Sequence, residues 1–139
     1  MRIKSLRGGS SMELTKYFES VIEMDRAAVV ICDLNHTIIY MNPVAIRRYA
    51  KSGGKDLIGK SLMGCHNEKS KEIIEKVVAW FAESTENNMI YTYYNEKEKK
   101  DVYMVALRDQ DNTLIGYYEK HEYRNRENAK LYDFSESLI

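Results

Sequence analysis

The spacing of apolar residues differs from one segment of the chain to the next, and each spacing predicts a type of element. Near the start, apolar residues recur at intervals of three and four, which indicates one face of a helix; they are Leu14, Tyr17, Phe18, Val21 and Ile22. Two short apolar, β-branched runs follow at 27–32 and 37–41. The Asp-Leu-Asn-His turn between them predicts that these runs pair as a β-hairpin.

The only proline in the chain marks a second helix. Pro43 follows Asn42; asparagine is a favoured N-cap, and proline suits the first helical turn because it lacks an N–H that would be unpaired there. We expect this helix to end near Lys51, just before a Gly-Gly pair. A longer helix over about 70–84 is predicted by a wide apolar stripe, formed by Ile73, Ile74, Val77, Val78, Trp80 and Phe81.

The apolar period falls to two after Asn88, which is typical of strands. Three strands are predicted, over 89–94, 102–108 and 113–122. The order of elements is therefore a helix, two strands, helices and three strands. This order predicts an α+β fold, with a five-stranded antiparallel sheet and helices packed on one face.

Length, charge and cysteine content narrow the function classes. The 139 residues suffice for one domain. Lys+Arg and Asp+Glu number 21 each, so the net charge of zero gives no electrostatic footprint for nucleic acid or an anionic membrane. No apolar run approaches the ~18 residues of a membrane span. The two cysteines form no C-x-x-C pair, which favours a reducing cytoplasm and argues against structural zinc or a disulfide framework.

The chain divides into three parts. Residues 1–11 are basic, end in Gly-Gly-Ser-Ser and lack the apolar core of a signal peptide, so we expect a disordered leader or expression remnant. Residues 12–123 carry the predicted domain. Residues 124–139 are polar, and Leu131, Phe134 and Leu138 at helical spacing predict a weakly helical tail.

Several short stretches carry a resemblance to a known family. They are 28–33 (AVVICD), 38–42 (IIYMN), 45–49 (AIRRY), 56–60 (DLIGK) and Gly116-Tyr117. In this order and spacing they resemble the PAS sensor-domain family over roughly residues 14–123. The resemblance implies the five-stranded α+β fold and a sensory or regulatory role. His36 stands where many members have glycine in the hairpin turn, and we expect Asn35 to take the left-handed conformation instead.

A closer likeness lies at 64–70 (GCHNEKS). This stretch is similar to the Cys-His-x-x-Lys-Ser stretch of a bacterial PAS subgroup, some of whose members sit beside hemerythrin-like domains. In the PAS fold the segment precedes the long helix and lies over the ligand cavity. The resemblance implies that His66 could ligate haem iron there, with Cys65 as a less favoured thiolate ligand. Capping or ordering of the helix start is the alternative role of His66.

Flavin binding is disfavoured by the residues around the second cysteine. Light-sensing PAS domains present their cysteine in an Asn-Cys-Arg-Phe-Leu-Gln setting, whereas Cys65 is followed by His66 and Asn67. The last predicted strand also lacks the glutamine that bonds the flavin ring edge.

Tyrosine is over-represented, with 11 residues against 3 Phe and 1 Trp. In strands a period of two places side chains on both faces of the sheet. Rings facing the helices would line a cavity, and rings on the other face would meet a partner; ordinary strand propensity is the alternative. The ligand-binding candidates are His66, Cys65, Tyr40, Tyr49, Trp80, Tyr103 and Tyr118. The interface candidates are Tyr17, Phe18, Tyr91, Tyr93 and Tyr117.

These features favour a non-catalytic sensory or regulatory module in the cytoplasm. Its core would bind a small ligand, and it would signal through a homodimer or an unidentified effector protein. The alternatives are a haem-binding redox or gas sensor using His66, and a ligand-free PAS dimerisation module. An enzyme is disfavoured, because the sequence shows no Gly-rich phosphate loop and no nucleophile with a placed base. Glu119 and His121 share a face near the end of the last strand, where we expect an exposed histidine.

Overall fold

A computed structural model describes residues 13–135, so the leader expected at 1–11 lies outside the described residues. The helices of the described part are α1 Thr15–Glu23, α2 Pro43–Arg48 and α3 Glu68–Glu83. The strands are β1 Val30–Asp33, β2 Ile38–Met41, β3 Met89–Asn95, β4 Lys100–Arg108 and β5 Leu114–Tyr123. Between α2 and α3 the chain forms short 3₁₀ turns over Ala50–Ser52, Gly54–Leu57 and Leu62–Cys65. Each predicted helix and strand is present up to β5, although α2 ends before Lys51 and a 3₁₀ turn continues it.

The strands form one antiparallel sheet in the order β2-β1-β5-β4-β3. The longest pairing joins β4 and β5, from Lys100 opposite Tyr123 to Arg108 opposite Leu114. The N-terminal hairpin joins this sheet through β1, which pairs with β5. The predicted five-stranded α+β fold is confirmed.

The sheet has an inner face, which packs against α2 and α3, and an outer face. Cys32, Met104 and Tyr117 of the inner face belong to one buried core with Ala45 of α2. The long helix α3 adds the predicted apolar stripe, and its buried members are Ile74, Val77 and Phe81. This packing places α3 over the centre of the sheet.

The first helix, α1, lies apart from that core. None of its residues is buried. Its apolar side is open to solvent, with exposed fractions of 55% for Tyr17, 45% for Phe18 and 69% for Val21. The Tyr40 hydroxyl, on the outer face, donates to Glu23 at the end of α1. Only α2 and α3 therefore pack on the inner face as predicted.

Asn42 is fully buried and uses its whole side-chain amide. Its Oδ1 accepts hydrogen bonds from the backbone N–H groups of Val29 and Ala45, both at 3.0 Å. Its Nδ2 donates to the carbonyls of Ile22 at 3.1 Å and Ala27 at 3.0 Å. The residue is thus the predicted N-cap of α2, and it also ties the end of α1 to the start of β1.

The turn between β1 and β2 differs from the expectation. His36, with φ of 63°, takes the left-handed conformation, so the assignment of that role to Asn35 was wrong. A residue with a side chain costs about 1–2 kcal/mol there. Two contacts offset this cost: His36 Nδ1 lies 2.7 Å from the Tyr117 hydroxyl, and the His36 carbonyl accepts from the Leu62 N–H at 2.8 Å.

A bulge in β3 changes the side of the sheet on which its tyrosines lie. Tyr91 pairs with Tyr103, but after a register shift Tyr93 pairs with Val102. Successive residues of β4 face opposite sides, and Val102 is fully buried on the inner face. Tyr93 therefore lies on the inner face and Tyr91 on the outer face. The hydroxyl of Thr92, within the bulge, donates to the Val102 carbonyl at 2.9 Å.

The tail differs from the prediction where the structure describes it. Residues 124–135 form neither helix nor strand, and the remainder, 136–139, lies outside the described residues. Arg26 and Glu127 form an ion pair at 2.5 Å that ties the tail to the segment after α1. Across residues 13–135, no helix combines the length and apolar character needed to cross a bilayer.

Candidate ligand-binding cavity

A cavity of about 250 Å³ lies between the inner face of the sheet and the chain from α2 to α3. Ligand pockets usually measure about 300 to 1,000 Å³, whereas an apolar cavity of about 150 Å³ already holds benzene. The cavity therefore suits a compact molecule. Much of its wall is apolar, from Val30, Ile38, Leu57, Leu62, Ile74 and Met104. Its polar groups include Tyr49, Ser52, Cys65, His66, Glu119 and His121.

Glu119 and His121 form the polar part of the sheet wall. They are alternate residues of β5, so their side chains share the inner face. His121 Nε2 lies 3.1 Å from Glu119 Oε1. The His121 side chain is 4% exposed, and its Nδ1 has no hydrogen-bond partner among the described residues. A buried ring nitrogen without a partner is uncommon in folded proteins.

An ion network lies near this pair, with Lys100 buried and with Arg48 and Glu98 partly exposed. Arg48 donates two hydrogen bonds to the Glu98 carboxylate, both at 2.6 Å, and Lys100 Nζ lies 3.3 Å from the same group. The Arg48 hydrogen bond is the main cause that lowers the pKa of Glu98 to about 2. Burial lowers the pKa of Lys100, which is 0% exposed. Arg48 and Lys100 therefore each form an ion pair with Glu98, although Lys100 Nζ has no hydrogen-bond partner among the described residues.

Tyr117 forms another part of the wall and is 3% exposed. Its hydroxyl lies 2.7 Å from His36 Nδ1 and also bonds the Cys32 thiol. Burial raises the pKa of Tyr117, and burial likewise raises the pKa of Cys32 to about 11. The Cys32 thiol is therefore protonated at neutral pH and unreactive as a nucleophile.

The seven residues predicted to bind ligand separate into two groups. Tyr49, Cys65 and His66 line the cavity. The other four do not. Trp80 lies on α3 beside Phe81, with ring centroids 5.8 Å apart. Tyr40, Tyr103 and Tyr118 lie on the outer face. Ile31 pairs with both Tyr40 and Tyr118. Tyr103 pairs with Tyr91 of the same face.

The residues predicted at an interface are also divided. Tyr17, Phe18 and Tyr91 are exposed. Tyr117 was placed wrongly, because it is buried on the inner face. Tyr93 is 48% exposed but lies on the inner face as a result of the β3 bulge, so it does not share a surface with Tyr91.

The most polar residues of the wall were missed as site residues. Tyr117, Glu119 and His121 are alternate residues of β5, so their side chains lie on one face of the sheet. This alternation is the sequence feature that could have identified them as site residues. The His121 side chain is buried rather than exposed as expected, because β5 stays paired with β4 beyond it, where Tyr123 pairs with Lys100.

Haem does not fit the residues of the cavity. His66 lines it, as haem ligation would require, but a volume of about 250 Å³ is small even for drug-sized ligands, and haem is larger than these. No lysine or arginine among the described residues lines the cavity to pair with the haem propionates. Within the same part of the chain, no group of three or more His, Cys, Asp and Glu side chains could hold a metal ion.

Solved structures share this architecture. The PAS domain of a protein from Colwellia psychrerythraea matches with a TM-score of 0.59 at 15% identity, over 81% of this chain and 98% of that chain. The chain has a PAS fold. A C-terminal domain from Streptococcus mutans matches with a TM-score of 0.59 at 15% identity, over 84% of this chain and 88% of that chain.

The chain also matches about a third of a larger receptor. An RNA-binding light-oxygen-voltage receptor matches with a TM-score of 0.55 at 11% identity, over 84% of this chain and 34% of that chain. No family model and no curated protein matches the chain. The PAS fold is therefore established by structure, and membership of the Cys-His-x-x-Lys-Ser subgroup stays a prediction.

Proposed function

We propose that this PAS fold is a sensory module, which binds a small organic molecule in its cavity and passes the occupancy to a second copy of the chain or to an effector protein. The observation that carries the proposal is the cavity of about 250 Å³ in the core. The sheet and the segment before α3 both line it. A ligand that binds two arrangements of these parts unequally shifts the population between them.

A short path leads from the cavity wall to α1. Ala28 and Val30 line the cavity, and the N–H of Val29 between them donates to Asn42. Asn42 in turn donates to the Ile22 carbonyl of α1. A change at this wall therefore reaches an exposed helix through two hydrogen bonds, which supports α1 as the element that reports the occupancy.

Filling the cavity tests the ligand-binding part. Val30→Trp places a larger side chain in the cavity, and Val105→Trp adds the same bulk on the outer face. We expect the wild-type chain to release a small molecule on denaturation, or to gain melting temperature with a member of a metabolite panel. Val30→Trp is expected to lose this response, and Val105→Trp to keep it. Mass spectrometry of the denatured extract and thermal unfolding measure the two signals.

A wild-type chain that retains no molecule and responds to none in the panel would contradict ligand binding. The ligand-free PAS dimerisation module would then be the better account. Equal retention by Val30→Trp and wild type, with both folded by circular dichroism, would place the molecule elsewhere on the chain.

Self-association is proposed to use α1 together with the outer face. The apolar side of α1 is uncovered, with Met24 78% exposed. On the outer face, the rings of Tyr91 and Tyr103 lie 5.4 Å apart. Tyr40 connects the two surfaces through its bond to Glu23. Exposed apolar and aromatic residues of this kind are typical of an interface.

Two tyrosines of one strand test the dimer surface. We expect Tyr91→Ser to weaken self-association about tenfold, since buried tyrosines are enriched among residues that dominate interfaces. Tyr93→Ser, on the opposite face, is the matched control and is expected to leave it unchanged. Sedimentation over a range of concentrations gives the dissociation constants. A monomeric wild-type chain, or a larger effect from Tyr93→Ser, would refute this surface.

A further inference from the structure

The chemistry of the cavity wall restricts what it can bind, provided that the cavity is the ligand site proposed above. Among the described residues that line the cavity, and with histidine counted as neutral, Glu119 is the only one with a formal charge at neutral pH. No lysine or arginine of that part lines the cavity. A carboxylate or phosphate ligand would therefore enter with no opposite charge to meet it.

Among residues 13–135, neither a lysine nor an arginine forms an ion pair with Glu119. Its ion pair among the described residues is the contact with His121 at 3.1 Å. The nearby cations, Arg48 and Lys100, both pair with Glu98. Lys100 is also 0% exposed, so it does not reach a molecule in the cavity. The Glu119 side chain is 42% exposed, so its carboxylate has lone pairs that are open to water or to a ligand that donates hydrogen bonds.

His121 holds the Glu119 carboxylate from within the sheet wall. A carboxylate only accepts hydrogen bonds, so the proton between His121 Nε2 and Glu119 belongs to Nε2. In the neutral ring Nδ1 is then an acceptor, and this atom has no partner among the described residues. This Nδ1 atom is buried as Lys100 Nζ is, so the group that the pair presents to a ligand is the Glu119 carboxylate, beside a wall that is mainly apolar.

We propose that the cavity binds a compact organic nitrogen base, whose amine or amidine donates N–H groups to Glu119 and whose apolar body packs against the β1 and α3 side of the wall. A cavity of about 250 Å³ limits this body to the size of one or two rings, since about 150 Å³ holds benzene. A planar amidine suits the site best, because it can offer two parallel N–H groups to one carboxylate, as arginine does.

Three probes of nearly equal size and different charge test the proposal: benzamidine, benzamide and benzoate. Titrated into the full wild-type chain by calorimetry or ligand-observed NMR, benzamidine is expected to bind about tenfold or more tightly than benzamide, and benzoate more weakly still. Glu119→Gln is expected to weaken benzamidine binding by about ten- to hundred-fold, the range for a hydrogen bond to a charged group. Glu122→Gln, on the outer face of the same strand, is the control and should leave binding unchanged.

The order of the three probes on the wild-type chain decides the matter even where Glu119→Gln fails to fold. Benzoate binding as tightly as benzamidine would overturn the ligand class, and so would a benzamidine affinity that Glu119→Gln leaves unchanged in a folded variant. A retained molecule without a basic nitrogen, lost in Val30→Trp, would overturn the class while the proposed sensory function stands. Unchanged benzamidine binding in Val30→Trp would place the probe outside the cavity and refute this inference.

Discussion

Gly116→Ala is expected to lower the melting temperature by about 10 °C or more, which corresponds to a loss of about 3 kcal/mol from the free energy of unfolding. A Cβ atom at this position would lie 2.3 Å from the Cys32 carbonyl oxygen and 3.4 Å from Asp33 Cα. These neighbours are backbone atoms of β1, so the clash is relieved only if β1 and β5 move apart. Their pairing joins the N-terminal hairpin to the rest of the sheet.

Gly64→Ala is the matched control for this substitution. A Cβ atom there meets nothing within 4 Å, and Gly64 does not have a positive φ. We therefore expect a melting temperature within about 2 °C of wild type, as for a surface substitution away from special features. Thermal unfolding followed by far-UV circular dichroism compares the two. A Gly116→Ala variant as stable as Gly64→Ala would contradict the close approach of β1 and β5.

Asn42→Ala is expected to cost about 3 kcal/mol, because it removes four hydrogen bonds at a fully buried position. The N–H groups of Val29 and Ala45 lose their acceptor, and an unpaired buried donor costs about 1–3 kcal/mol. The loss of the N-cap of α2 is part of this cost. Chemical denaturation measures the change in the free energy of unfolding.

Asn42→Asp separates the two roles of this residue. The aspartate keeps an oxygen for the N–H groups of Val29 and Ala45, so α2 stays capped. It replaces the amide donor by a second oxygen, which faces the carbonyls of Ile22 and Ala27 and repels them. Hydrogen exchange is therefore expected to quicken in α1 but not in α2, whereas Asn42→Ala quickens both. Unchanged hydrogen exchange in α1 of the Asn42→Asp variant would contradict the role of the Asn42 hydrogen bond to Ile22 in holding α1.

Elements whose signals are local could be predicted from the sequence. The N-cap at Asn42 and the stripe of α3 need only neighbouring residues, and both are present. The α3 helix begins at Glu68, ahead of the predicted start, because the Asn67 side chain accepts from the Ser70 N–H at 2.8 Å and caps it. An asparagine just before a helical pattern is a sequence signal for an N-cap, so this start could also have been predicted.

Features that depend on partners distant in sequence could not be predicted. His36 adopts a left-handed conformation that favours glycine, and the offsetting contact is with Tyr117, 81 positions away. Nothing near His36 in the sequence identifies that partner. The face on which Tyr93 lies could not be predicted for a related reason. Alternation fails at a bulge, and this bulge is defined only by the pairing of β3 with β4.

The site was predicted in part. The segment with Cys65 and His66 was identified, and both residues line the cavity. Glu119 and His121 were placed on one face of β5, but whether that face is buried depends on how far β4 extends beside it. In a strand without a bulge at that point, alternation predicts which residues share a face, whereas burial depends on the neighbouring strand.

The bulge in β3 also bears on solubility. β3 is an edge strand of the sheet. Its backbone N–H and C=O groups on the side away from β4 could pair with the strand of another molecule. Tyr91, Tyr93 and Tyr94 are 54%, 48% and 38% exposed. A flat edge strand with these exposed aromatic residues would be prone to pair with strands of other molecules. The bulge twists the strand and interrupts its regular ladder. We therefore expect the irregularity that redirects Tyr93 to make this edge a poorer template for the strand of another molecule.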